Sequence, residues 1–135
     1  MEGDTNSLGD NALVVRFRPI MAEAVLRSAE RAHRRTGYHR VSVFAAEAVP
    51  GESAESLRAR LLAAAELSGI DPHGNKRYYV CAKASTLRER GFTFQKSGYP
   101  GEASEHYDVD LGVKPDVDVA ERFLEAFTSA EEWSR

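Results

Sequence analysis

The chain has 135 residues, 42% hydrophobic and 29% charged, with a net charge of −3. Those values describe one ordinary globular domain, long enough to bury a core without a disulfide or structural metal, and they give no bulk attraction to nucleic acid or a membrane surface. A single cysteine, Cys81, excludes an internal disulfide and a multi-thiolate metal site.

In chain order, residues 1–11 are polar and acidic and read as a flexible leader, with the domain occupying 12–135. The leader lacks the apolar stretch of a signal peptide, and no apolar run approaches the roughly 20 residues that span a bilayer, so a cytoplasmic protein is expected. The abundance of Ala and Arg suggests a GC-rich bacterial source. Residues 12–17 form a short apolar run, a first strand. Pro19 then suits the first turn of a helix, where its missing N–H has no partner to lose. Met21, Val25, Ala29 and Ala32, with Leu26 beside them, recur at helical spacing, and Gly37 stops that helix.

Residues 41–48 are almost wholly apolar, as in a strand buried on both faces. After the Pro50-Gly51 turn, Ser53 or Ser56 can cap a helix whose inward stripe is Leu57, Leu61, Leu62 and Ala65. Gly69 ends it, and Asp71-Pro72-His73-Gly74-Asn75 is dense in turn residues. A third apolar strand follows over 78–82, then a single capped helical turn over 85–91. Phe92 and Phe94 alternate with polar residues, and a Gly- and Pro-containing loop over 97–104 reverses the chain into a strand at 105–111. Asp116 or Asp118 opens a last helix with Val119, Phe123, Leu124, Phe127 and Ala130 on one face. The order is βαβαβ–ββ–α. It predicts an α/β fold bordering on α+β, with helices on a mixed sheet of about five strands. Strands joined by helices are expected to be parallel, and the hairpin antiparallel.

Chemistry concentrates in residues 105–111. Strict alternation puts His106, Asp108 and Asp110 on one strand face, opposite Tyr107, Val109 and Leu111. An imidazole and two carboxylates in a row can hold a hard cation such as Mg²⁺ or Mn²⁺, or move a proton, given a further ligand such as His73, Glu102 or Glu105. The same pattern also describes the wet side of any one-sided sheet. Cys81 and His106 could pair as nucleophile and base, but a cysteine within an apolar run reads as core.

The stretch 31–40 carries Arg31, Arg34, Arg35 and Arg40 with two histidines and Tyr38. It is a possible phosphate or RNA footprint, or simply a solvated end that complements the helix dipole. Tyr99 and Glu102 stand in the long hairpin loop, a common position for contact residues. Residues 11–40 hold seven Arg against two Glu, whereas 101–135 hold ten acids against three bases. Such polarity lets the two ends of one domain attract each other.

The chain has no glycine-rich phosphate loop, Gly-x-Ser-x-Gly elbow, His-Glu-x-x-His or Cys-x-x-Cys. The expectation is therefore an accessory or regulatory domain that binds another protein and needs no cofactor. The alternatives are a Mg²⁺- or Mn²⁺-dependent hydrolase or nuclease using His106, Asp108 and Asp110, and an RNA-binding module using the Arg-rich helix end.

Overall fold

The computed structural model describes residues 8–17, 20–70, 78–96, 104–128 and 131–132. The elements are β1 (Leu13–Phe17), α1 (Ala22–Thr36), β2 (Arg40–Ala46), α2 (Ala54–Leu67), β3 (Tyr78–Lys83), α3 (Ala84–Glu89), β4 (Thr93–Lys96), β5 (His106–Asp110), α4 (Val117–Glu125) and the two-residue β6 (Glu131–Glu132). The α/β single-domain architecture follows the sequence order closely, with β6 as the one unexpected strand.

The sheet departs from expectation in its pairing. Its order is β4-β5-β2-β1-β3-β6, and every neighbouring pair is antiparallel, so the expected mixed sheet is not found. β1 and β2 are adjacent and antiparallel, with Val15 opposite Phe44. The connection through α1 therefore leaves and re-enters the sheet at the same end. β2 and β3 do run parallel, since each is antiparallel to β1, but β1 lies between them. The crossover through α2 thus has the expected sense while its two strands never touch. Helical spacing and strand length are local properties, whereas which strands become neighbours is not, and that is where the sequence reading failed.

Two apolar clusters cover the two faces. On one, Val25 and Ala29 of α1 and Ala120 and Phe123 of α4 pack with Val14, Val41, Val43, Phe94, Tyr107 and Val109 from the strands. On the other, Leu57, Leu61, Leu62 and Ala65 of α2 cover Val15, Phe17, Phe44, Tyr79 and Cys81. Met21, expected in the α1 stripe, is 72% exposed because it is the residue capping that helix rather than a member of it. Ser53 caps α2, accepting from Ser56 N–H at 3.0 Å, and Asp116 caps α4, accepting from Val119 N–H at 3.0 Å.

The packed chain begins ahead of the expected boundary at residue 12. Leu8 is buried, and Arg88 donates to its carbonyl at 2.6 Å and to the Asp10 carboxylate at 2.8 Å. Within the central strand, Arg16 is only 4% exposed and donates to the Ser42 carbonyl at 2.7 Å; burial lowers its pKa to about 10. Among the described residues, no helix is long and apolar enough to cross a membrane.

Candidate functional site: a polar sheet wing and an end cleft

α2 packs on β1 and β2 and does not reach across β5 and β4. The face it leaves uncovered carries Arg40 and Ser42 of β2, Thr93 and Gln95 of β4, and His106, Asp108 and Asp110 of β5. The registers bring them side by side: Arg40 lies opposite Asp110, Ser42 opposite Asp108 and Phe44 opposite His106. On the other flank, Thr93 and Gln95 face Asp110 and Asp108. The strand row read from the sequence therefore exists, and its neighbours are now defined.

These side chains are occupied with one another. Arg40 donates to Gln95 Oε1 at 2.6 Å, and its guanidinium lies 4.2 Å from the centre of the Tyr38 ring. Ser42 stands directly opposite Asp108 in the register. Burial pushes the Asp108 pKa up, while the charges of Arg40 and Arg35 and the Ser42 hydroxyl oppose that shift. The His106 ring stacks on Phe44 at 5.0 Å, and burial lowers its pKa. Asp110 accepts the Gly112 N–H at 2.8 Å, a short-range turn bond that ends the strand.

Arg60 of α2 marks the border of the covered half. It binds Glu52 at 3.0 Å, the Glu47 carbonyl at 2.9 Å and Glu105, just before β5, at 3.5 Å. Glu105, considered above as a further metal ligand, is thus held in an ion pair. Among the described residues no group of three His, Cys, Asp or Glu side chains comes close enough to hold a metal ion. Residues i and i+2 of a strand stand about 6.5–7 Å apart, and the row stays spread along β5.

The Arg-rich stretch divides in two. Arg31, Arg34 and Arg35 are exposed on α1, and Arg40 turns into the wing. The two histidines of that stretch, which carried no weight in the sequence reading, prove to be the more organised feature. His33 and His39 stack face to face, with centroids 4.2 Å apart and planes 8° apart. They line a cleft of about 520 Å³ at the end of the sheet where β2 and β4 begin and β5 ends. Its other walls include Tyr38, Phe92, Asp110, Leu111 and Arg122. Gly37, Gly91 and Gly112 also line it, all with left-handed φ values of 86°, 93° and 104°. The two histidines are six residues apart across a helix stop, a spacing that signals nothing unless the turn geometry is known.

Cys81 and His106 are separated by β1 and β2, so they form no catalytic pair. Cys81 is 8% exposed, and burial pushes its thiol up to about 11, as expected for a core residue. His73, Tyr99 and Glu102 lie outside the described residues.

The fold and these two surfaces define an antiparallel α/β domain with one polar wing and one end cleft. No family model matches the chain, and neither does any curated protein or solved structure.

Proposed function

We propose that this protein acts by binding another protein, as an accessory or regulatory partner, and that the β2–β5–β4 wing is its contact surface. The observation that carries this reading is the hydrogen bond of Arg40 to Gln95 and the placing of Ser42 opposite Asp108 across three adjacent strands. Such an arrangement fixes polar groups in a flat array, which supplies a partner with pre-ordered donors and acceptors at little further loss of side-chain freedom. Contact by side chains fits better than strand addition, because edge strand β4 has four residues and closes with Lys96, a charge that guards an edge. A cytoplasmic setting in a bacterial cell suits the role, given one buried thiol and an Arg-rich composition.

The test is photo-crosslinking in cells that make the protein, with the probe placed at Gln95, at Ser42, or at the 88% exposed Leu67 of α2. A discrete crosslinked partner is expected from the two wing positions, not from Leu67, and should vanish in Arg40→Glu. The same pattern from all three positions, or none from any, would refute the proposal.

A second reading rests on the row itself: His106, Asp108 and Asp110 share one face of β5, where burial moves the pKa of Asp108 up and that of His106 down. On that reading the row is a hydrolase or nuclease site, with Mg²⁺ or Mn²⁺ as its cation.

A further inference from the structure

The end cleft is chemically unlike the wing. Its volume of about 520 Å³ falls within the range of small-molecule sites, and its floor is apolar, with Phe92 and Leu111 buried beneath it. Arg122 is pre-positioned there. Its Nε donates to the Arg90 carbonyl at 3.2 Å, and its guanidinium lies 5.2 Å from the centre of the Phe92 ring. Among the described residues its two terminal amino groups donate to nothing, so the fork that recognises phosphate is available.

The stacked imidazoles of His33 and His39 and the ring of Tyr38 add flat surfaces on which a planar ring can rest. Asp110 spends Oδ1 on the Gly112 N–H, which leaves Oδ2 to accept from a donor on that ring. Gly37, Gly91 and Gly112 border open space, since a Cβ at any of them would meet nothing within 4 Å. The exposed Arg34 and Arg35 in the last turn of α1 offset the negative end of that helix, and Arg122 is the arginine that lines the cleft itself.

We infer that the cleft binds a nucleoside monophosphate, with the phosphate on Arg122, the base against the His33–His39–Tyr38 wall, and an exocyclic amino group of the base donating to Asp110. The cleft shares Asp110 with the wing and its Tyr38 ring lies against Arg40, whereas Gln95 and Ser42 of the wing do not line it. Asp110 should favour bases that carry an amino group, adenine, guanine and cytosine, over uracil, which carries none. Free nucleotide is favoured over a strand of RNA because the acidic balance of the whole chain gives no extended basic track.

The test is amide and imidazole NMR on the full chain, titrated separately with AMP, CMP, UMP, adenosine, inorganic phosphate and a short single-stranded RNA. AMP and CMP should give saturable shifts at His33, His39, Gly91 and Gly112, with UMP weaker and adenosine and phosphate weaker still. Arg122→Gln should reduce AMP affinity by about tenfold or more, as loss of a charge-assisted hydrogen bond implies. Arg122 also braces Phe92, so a second variant guards against a folding artefact. Val113→Glu adds a negative charge at a cleft residue that is 87% exposed, and should weaken AMP without changing the melting temperature.

Asp110→Asn should shrink the AMP-over-UMP preference. No saturable shift with any nucleotide up to about 5 mM, or shifts indifferent to both Arg122→Gln and Val113→Glu, would overturn the assignment. RNA binding far tighter than AMP, with shifts spreading to Arg31 and Arg34, would replace the free nucleotide with an RNA strand. Loss of crosslinking from the Ser42 probe in Gln95→Lys, a wing residue that does not line the cleft, with AMP binding intact separates failure of one proposal from failure of the other.

Discussion

Phe123→Ala is the sharpest test of how α4 is held, and α4 carries the arginine of the end cleft. Phe123 is fully buried and meets two rings edge-on, Phe92 at 5.7 Å and Phe127 at 5.1 Å. Truncating a buried Phe costs about 3–5 kcal/mol in all, and the two edge-to-face contacts place this site in the upper part of that range. Partial collapse of α1 and β4 into the space offsets some of that, so about 4 kcal/mol is the expected net loss. With a urea m-value near 2 kcal/mol/M, the unfolding midpoint should fall by about 2 M. Far-UV circular dichroism against urea reads it directly. Leu61→Ala, in the cluster on the opposite face, should also destabilise while leaving the environment of Arg122 unchanged. A Phe123→Ala midpoint within error of the parent would mean that α4 is not docked on α1 as described, and the cleft would lose its arginine wall.

Further outcomes follow from the wing and from Cys81. Asp108→Asn should leave the protein as stable as the parent or more so at neutral pH. The folded-state pKa of Asp108 is raised, so its ionisation weakens the fold as pH climbs from its ordinary 3.8 through the raised value; the gap between variant and parent should close as pH falls below 3.8. His106 shifts the other way. Its lowered pKa means the parent should lose stability relative to His106→Phe as pH drops below 6.5, with a constant difference above it, read from melting temperatures at stepped pH. Cys81 should resist a thiol reagent in the native state and react once urea unfolds the chain, since burial raises its pKa to about 11; rapid native labelling contradicts the core assignment. If the wing is a protein contact surface, Mn²⁺ should leave the melting temperature unchanged. One Mn²⁺ bound per chain and lost in Asp108→Asn would put the hydrolase reading first.

Much of the fold was legible because its signals are local. The Leu57, Leu61, Leu62 and Ala65 stripe, the Ser53 and Asp116 caps and the alternation of residues 105–111 each concern neighbours a few residues apart. Sheet order was not legible, since nothing local tells that β1 lies between β2 and β3 or that β4 and β5 reach round to the β2 edge. The charge asymmetry was partly legible. It places basic β2 beside acidic β5, with Arg40 opposite Asp110, although among the described residues no ion pair joins α1 to α4. The wing row could be read from alternation alone, whereas its partners Ser42 and Gln95 come from other strands. The His33–His39 stack depends on the turn at Gly37, and Arg122 sits near it only because α4 packs beside α1.

The wing also bears on what the fold gives up to keep it. On the same sheet face, under α2, the strands present the largely apolar set Val15, Phe17, Phe44, Tyr79 and Cys81. Where α2 stops, the residue types change at once to Arg40, Ser42, Gln95, His106 and Asp108. Asp108 and His106 are half-buried there, and desolvation is the largest influence on both. Each shift records a charged form made less favourable by the fold, a loss that apolar residues at the same positions would avoid. Local inconsistency of this kind tends to concentrate where a surface is used. The Ser42 hydroxyl opposite Asp108 and the hydrogen bond of Arg40 to Gln95 offset part of the loss and hold the groups in register. On the proposed reading, this ordered array is what a partner surface would meet.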